Sequence, residues 1–185
     1  MKQNDANKIV TRIAPSPTGI LHIGTVRTAL FNYLFANQND GKFIFRIEDT
    51  DKERSTKESE DELVEGFKWL GLSYDEFARQ SERNALYQPH IRKMLDSGAA
   101  YISENEETKD GGRSSVIRFK NPNRSITFND VIRGDVTFDT TDLKDFVIAK
   151  DMESPLYHLT VVIDDHEMGV THVIRGEDHI SNTPR

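Results

Sequence analysis

Between Ala14 and Thr25 the chain reads Ala-Pro-Ser-Pro-Thr-Gly-Ile-Leu-His-Ile-Gly-Thr, with a β-prone run before it and helix-spaced apolar residues after it. Pro15 and Pro17 stiffen such a loop, while Gly19 and Gly24 permit close backbone approach. A strand passing through a stiff loop into a helix aims backbone N–H groups and the positive helix end at whatever lies over the strand ends. That arrangement suits a phosphate. His22 adds a donor that can carry positive charge and so favour negative charge growing on phosphate oxygens during phosphoryl or nucleotidyl transfer. The same residues also describe an ordinary loop with a structural histidine, and residue chemistry alone leaves both readings open.

A second set combines cations with an anion. Arg12 precedes the loop, Arg175 follows the apolar pair Val173-Ile174, and Glu48 ends the run Lys42–Ile47. In a parallel sheet these three would converge over the strand C-termini, where such folds bind ligands. A planar arginine fork is suited to a carboxylate, and a glutamate to an ammonium. The alternative is an ordinary cross-strand salt bridge between Arg12 and Glu48. Asp164-Asp165-His166-Glu167 are consecutive, so on a strand or turn they point in different directions and cannot all ligate one ion. They read instead as a structural or RNA-facing turn. Lys109, Arg113, Arg118, Lys120 and Arg124 make a basic strip of five cations against one acid, whereas Glu48 to Glu65 holds nine acids against three cations. The net charge of −7 therefore does not exclude a local RNA contact, because phosphate attraction acts over only about 8–10 Å at physiological salt.

The elements that would hold these residues follow from periodicity. Ile9–Ala14 and Lys42–Ile47 read as strands. Val26, Ala29, Leu30, Tyr33 and Leu34 have helix spacing, and Asn39-Asp40-Gly41 marks a turn. Ser55 or Thr56 caps a helix with the stripe Leu63, Phe67, Leu70, closed by Gly71. Residues 83–97 are amphipathic but interrupted by Pro89, which predicts a kink or a late start. Short alternating runs then take over at Val116–Phe119, Ser125–Phe128, Val136–Phe138 and Phe146–Ile148, as small antiparallel strands. Leu159–Ile163 and Val173-Ile174 return to buried-strand character. The 185 residues thus predict an α/β fold, a doubly wound parallel sheet interrupted by a small inserted module. Cysteine is absent from the sequence, which rules out disulfides and cysteine-based zinc sites and fits a cytoplasmic protein. No apolar run approaches the length of a membrane span.

His22-Ile-Gly-Thr25 resembles the "HIGH" signature of the class I aminoacyl-tRNA synthetases, and the string from Ala14 to Ala36 resembles the glutamyl branch of that family. Arg46-Ile-Glu-Asp-Thr-Asp51, Trp69-Leu-Gly-Leu72 and Arg175-Gly-Glu-Asp-His-Ile-Ser-Asn-Thr-Pro-Arg185 agree in order and spacing. The resemblance covers nearly the whole chain except about 103–115. Thr25 departs from the signature's final histidine, so His22 is the only imidazole in the motif. The resemblance implies a Rossmann-like catalytic domain in three parts: a first half over 1–86, an inserted acceptor-binding module over 87–150 and the start of a second half over 151–185. It implies that His22, Gly24 and Thr25 serve catalysis, and that Arg12, Tyr157 and Arg175 meet the substrate side chain with Glu48 on its amino group. Ala14 and Ser16 would border the substrate. Pro15, Thr18, Gly19, His22, Gly24, Glu177 and Asp178 would line the ATP site, with Asp178 on the ribose hydroxyls.

The implied reaction joins L-glutamate to tRNA(Glu) through glutamyl-adenylate. Mg²⁺ would enter with ATP and not on Asp49 and Asp51, and there would be no zinc. The basic strip would receive the tRNA acceptor end. A neutral glutamine amide would leave the buried cations under-compensated, which favours glutamate. The family's lysine-rich "KMSKS" loop is not found in Lys150–Arg185, so the chain is expected to be a shortened piece with weak or no aminoacylation, acting as a monomer. Two other readings fit the same residues. One is a shortened glutamyl transferase acting on a modified tRNA nucleoside; the other is a non-enzymatic tRNA- or protein-binding module.

Overall fold

The computed structural model describes residues 8–107 and 112–185, and these fall into two compact units. Residues up to 83 and 164–176 form the first; residues 84–163 and 177–185 form the second.

In the first unit three strands, β1 (Val10–Ile13), β2 (Lys42–Ile47) and β3 (Glu76–Arg79), pair in parallel in that order. Helix α1 (Ile23–Gln38) connects β1 to β2, and α2 (Lys57–Trp69) connects β2 to β3. The period of β2 sorts its side chains onto two faces. Phe43, Phe45 and Ile47 join Ile13, Ala29, Ala36, Leu63, Phe67 and Leu72 in an apolar core under α1 and α2. Arg46 goes to the opposite face and is nevertheless fully buried. The turn before β2 is set by Gly41, where a Cβ would lie 2.5 Å from the Ile9 carbonyl oxygen. Thr56 caps α2, accepting from the Ser59 N–H at 3.2 Å, and Gly71 ends it at φ +71°. Leu70, expected in the buried stripe, is instead the C-cap and is partly exposed.

Val173-Ile174 do not form the expected strand. The Thr171 hydroxyl accepts from Val10 N–H at 2.8 Å, and the Thr171 and His172 N–H groups both donate to the Val10 carbonyl. The Thr171 side chain takes up the Val10 N–H that a ladder would have used.

The second unit packs α3 (Asn84–Asp96) on an antiparallel sheet of β4 (Ala100–Glu107), β5 (Arg113–Phe119) and β8 (Phe146–Ala149), in that order. A separate hairpin joins β6 (Ser125–Asp130) to β7 (Gly134–Asp139). Tyr87, Ile91, Ala100, Ile117, Ile148, Ala149, Leu159 and Ile163 form its core. Helix α3 does not start late: it runs from Asn84 with the proline inside it, and Tyr87 and Ile91, four apart, are both fully buried. The expected strand at Leu159–Ile163 is also helix, α4 (Tyr157–Glu167). The β-branched run Val161-Val162-Ile163 favours a strand by propensity. Burial of Leu159, Thr160, Ile163 and Asp164, with Val162 exposed, has helical spacing, and packing overrides propensity. Residues of α4 through Ile163 belong to the second unit and those from Asp164 to the first.

Candidate functional site

The loop after β1 is stitched down through the carbonyls of its prolines. Glu48 N–H donates to the Pro15 oxygen at 3.0 Å and Thr56 N–H to the Pro17 oxygen at 3.1 Å. The loop is thereby tied to the C-terminal end of β2 and to the cap of α2. Thr18 N–H closes a tight turn onto the Ser16 oxygen at 2.9 Å. Ser16, Thr18 and Gly19 face solvent, with Ala14 and Pro15 half-buried beneath them. A Cβ at Gly19 would meet nothing within 4 Å, so the protein itself does not require glycine there.

His22 is the N-cap of α1. Its Nδ1 accepts from Gly24 N–H at 3.2 Å, and its Nε2 lies 3.2 Å from Thr25 Oγ1. A ring nitrogen that accepts an N–H carries no proton, so with Nδ1 turned to Gly24 the donor of the ring is Nε2. Gly24 is explained by the same contact, since a Cβ there would stand 3.0 Å from ring atoms Cε1 and Nδ1. Thr25 takes the ring's other edge, where the signature has a second histidine.

On the far face of β2 lies a buried layer of charge. Arg46 Nη2 donates to Glu48 Oε1 at 3.0 Å, and its Nη1 donates to Asp165 Oδ1 at 2.8 Å. Its Nε is 3.8 Å from Asp164 Oδ2. Asp164 in turn accepts from Gln80 Nε2 at 2.8 Å and Arg83 Nε at 2.7 Å. Arg12 Nε lies 3.2 and 3.3 Å from the two oxygens of Asp165. Arg12, Arg46 and Arg83 stand against Glu48, Asp164 and Asp165, so the layer is neutral as built. Burial pushes the Glu48 carboxyl up from its ordinary value, with Arg46 opposing the shift. Burial also disfavours charge on Arg46, but Glu48, Asp165 and Asp164 together hold the guanidinium above its ordinary value.

Two expectations are corrected here. Arg12 and Glu48 do not form the cross-strand pair; their partners are Asp165 and Arg46. Asp164 and Asp165 are not in a turn but in the last turns of α4, with Asp164 fully buried. Sequence reading passed over Arg46, although a charged residue two before Glu48 in the apolar run Lys42–Ile47 was the available signal. Asp49 accepts from the Ser81 N–H at 2.8 Å, and Asp51 from Arg54 Nε at 2.7 Å. Among the described residues no group of three or more histidine or acidic side chains is placed to hold a metal ion.

Arg175 is half-buried in the first unit. In the second unit Tyr157 opens α4, its ring 5.2 Å from that of His158. Glu177 and Asp178 begin a 3₁₀ turn and are exposed, with Glu177 paired to Arg133. Of the basic strip, Arg113, Lys120 and Arg124 are exposed, and Lys109 lies outside the described residues. Arg118 is committed: Nε and Nη2 grip Glu106 at 2.9 Å each, and Nη1 donates to the Asp145 carbonyl.

Residues 8–109 and 102–185 match the family model for the catalytic domain of class I tRNA synthetases (E and Q). The chain is 46% identical to the glutamate–tRNA ligase of Aquifex aeolicus, over 97% of this chain and 45% of that protein. Glutamate–tRNA ligase 1 of Petrotoga mobilis is 49% identical over 96% of this chain and 43% of its own. A solved glutamate tRNA ligase from Elizabethkingia meningosepticum, in complex with its amino acid, superposes with a TM-score of 0.87 at 37% identity, over 96% of this chain and 45% of that one. The chain thus spans about half the length of these relatives. The Aquifex alignment runs over 213 positions, more than the 185 residues here, so that relative carries residues this chain lacks. No helix among the described residues is long and apolar enough to cross a membrane. The two stretches of the family model together span the loop, the strands and the charged layer, and the chain belongs to the class I tRNA synthetases of the glutamate and glutamine group.

Proposed function

We propose that this chain supplies amino-acid and nucleotide contacts to a ligase that activates L-glutamate with ATP and passes it to tRNA(Glu). The supporting observation is the buried layer that holds Arg12 and Glu48 on one face of the parallel sheet, with the proline loop tied to the end of the same central strand. The Nη edge of Arg12 would read the side-chain carboxylate, and Glu48 the ammonium. Ala14 and Ser16 would border the amino acid, and Pro15, Thr18 and Gly19 the nucleotide. His22 would offer Nε2–H to a phosphate oxygen in place of Thr25, with Gly24 making room for the ring. Arg175 is assigned to glutamate by resemblance. So are Tyr157 on glutamate and Glu177 and Asp178 on ATP, all three in the second unit. Exposed Arg113, Lys120 and Arg124 are free to meet RNA phosphates in a way that Arg118, held by Glu106, is not.

In the first step the glutamate α-carboxylate attacks the α-phosphorus of ATP, and the bond to pyrophosphate breaks. In the second, a hydroxyl of the terminal tRNA adenosine attacks the activated carbonyl and AMP leaves. The protein's share is orientation and charge placement. Mg²⁺ would arrive on the triphosphate, and no step here depends on a protein-held ion. The reading includes a cytoplasmic monomer. Calorimetry with glutamate, glutamine and a non-hydrolysable glutamyl-adenylate analogue tests it. The analogue should bind, and glutamate should bind more tightly than glutamine. Equal binding of the two amino acids would remove the specificity claim, and no binding of the analogue would favour a non-enzymatic module.

A further inference from the structure

Asp165 touches both arginines of the β2 face. Its Oδ1 accepts from Arg46 Nη1 at 2.8 Å, while both its oxygens stand almost equally far, 3.2 and 3.3 Å, from Arg12 Nε. Equal distances put the Arg12 Nε–H on the bisector of the carboxylate, which fixes the guanidinium from its Nε side. Asp165 holds Arg12 through Nε, so the end-on fork, the edge that reads a carboxylate with two parallel bonds, is not the edge that Asp165 occupies. Arg46 is itself held by Glu48 at 3.0 Å. Glu48, Arg46, Asp165 and Arg12 therefore form one continuous chain of ion pairs, with an anion at one end and an aimed cation at the other.

The placement of Asp165 is unfavourable on local grounds. It sits with Asp164 and Glu167 in the last turns of α4, where the helix end already carries partial negative charge and cations are preferred. A carboxylate kept where local rules disfavour it points to a role beyond the helix.

We propose that Asp165 is a positioning residue that acts through Arg12 and, by way of Arg46, fixes the Arg12 fork relative to Glu48, setting the site's fit to glutamate. This rests on the reading of Arg12 and Glu48 as the glutamate contacts. A purely neutralising role predicts the opposite sign. Removing one negative charge beside Arg12 would then leave the site more cationic and strengthen anion binding.

The test is calorimetry on the full chain with glutamate and, separately, ATP, for the wild type, Asp165→Asn, Asp165→Glu, Arg12→Gln and the double variant Arg12→Gln/Asp165→Asn. Losing an orienting partner typically weakens a site by about 10–100-fold, so Asp165→Asn should bind glutamate at least about tenfold more weakly with ATP affinity unchanged. In the Arg12→Gln background the Asp165→Asn change should add nothing further. If Asp165→Asn does not fold, as read by circular dichroism, Asp165→Glu decides. It keeps the charge but displaces the carboxylate by one methylene, and should show the same selective loss. Unchanged or tighter glutamate binding in the folded variant, or additive effects in the double variant, overturns the proposal while leaving the glutamate reading in place. A wild type that does not bind glutamate overturns the reading and the proposal together.

Discussion

Arg46 and Arg118 are both β-strand arginines gripping carboxylates, but in different surroundings. In the first unit Arg46 has no exposed side-chain surface and its neighbours Glu48 and Asp164 almost none. In the second unit Arg118 and Glu106 keep 24% and 30% of their side chains exposed. The buried pairs have given up hydration, so each charge is sustained only by its partners, and geometry there is held tightly. The Arg118–Glu106 fork has as good a geometry, yet solvent screens it, and it serves mainly to fasten β4 to β5 next to their bulge between Ser103 and Glu106. Comparable hydrogen bonds thus do different jobs: one set holds buried charges in fixed places, the other ties β4 to β5.

The sharpest way to break this contrast is Arg46→Met. It strands Glu48 and Asp165 without their shared cation and should cost about 3–5 kcal/mol in urea unfolding, as expected when one partner of a buried pair is removed. A loss no larger than that of Arg118→Met would erase the distinction. Glu48→Gln should come next. It keeps an acceptor for Arg46 but withdraws the charge proposed to face an ammonium, and should weaken glutamate by about 2 kcal/mol, roughly 30-fold, in calorimetry. Because burial raises the Glu48 pKa, the wild-type carboxylate is protonated at a higher pH than an ordinary glutamate. Glutamate affinity should therefore fall as pH is lowered through that raised value, and Glu48→Gln should flatten the profile.

A smaller effect separates the two tasks of His22. His22→Ala should lose about 1 kcal/mol of stability as the cap of α1 goes. His22→Asn should keep the cap and the melting temperature yet still lower ATP affinity. Equal ATP affinity in His22→Asn and wild type would confine His22 to a structural role. Least is expected from Arg118→Gln, whose effect should shrink further in high salt. The Arg118 fork, with Ser103, holds the Glu106 carboxyl well down, from 4.5 to about 2. A depressed carboxylate stabilises the fold above its unfolded value, so the difference between wild type and Arg118→Gln should be constant above about 4.5 and vanish as pH falls toward 2. Melting curves across that range check the sign.

Periodicity placed β2 at the residues where it is found and α2 behind Thr56, because both elements are amphipathic in a pattern that one buried face imposes. It failed at α4, where Val161-Val162-Ile163 carries strand propensity and only packing selects the helix. The loop from Pro15 to Gly24 was singled out only by its resemblance to the family signature, since prolines, glycines and a histidine before a helix also describe an ordinary loop. Its working detail was not legible. That the Gly24 N–H takes Nδ1 of His22 depends on the local turn, and the anchoring of the loop follows from which carbonyls meet Glu48 and Thr56.

The histidine loop, Arg12 and Glu48, and the family they identify, are properties of local strings, and strings suffice for them because residue type and spacing carry the signal. Partnership is different. That Arg12 answers to Asp165, more than 150 residues away, and that Arg46 joins it to Glu48, depends on which faces the sheet and the end of α4 present to one another within the first unit. No spacing along the chain encodes that meeting. Burial then gives it force, because charges removed from water are held by the few neighbours the fold supplies.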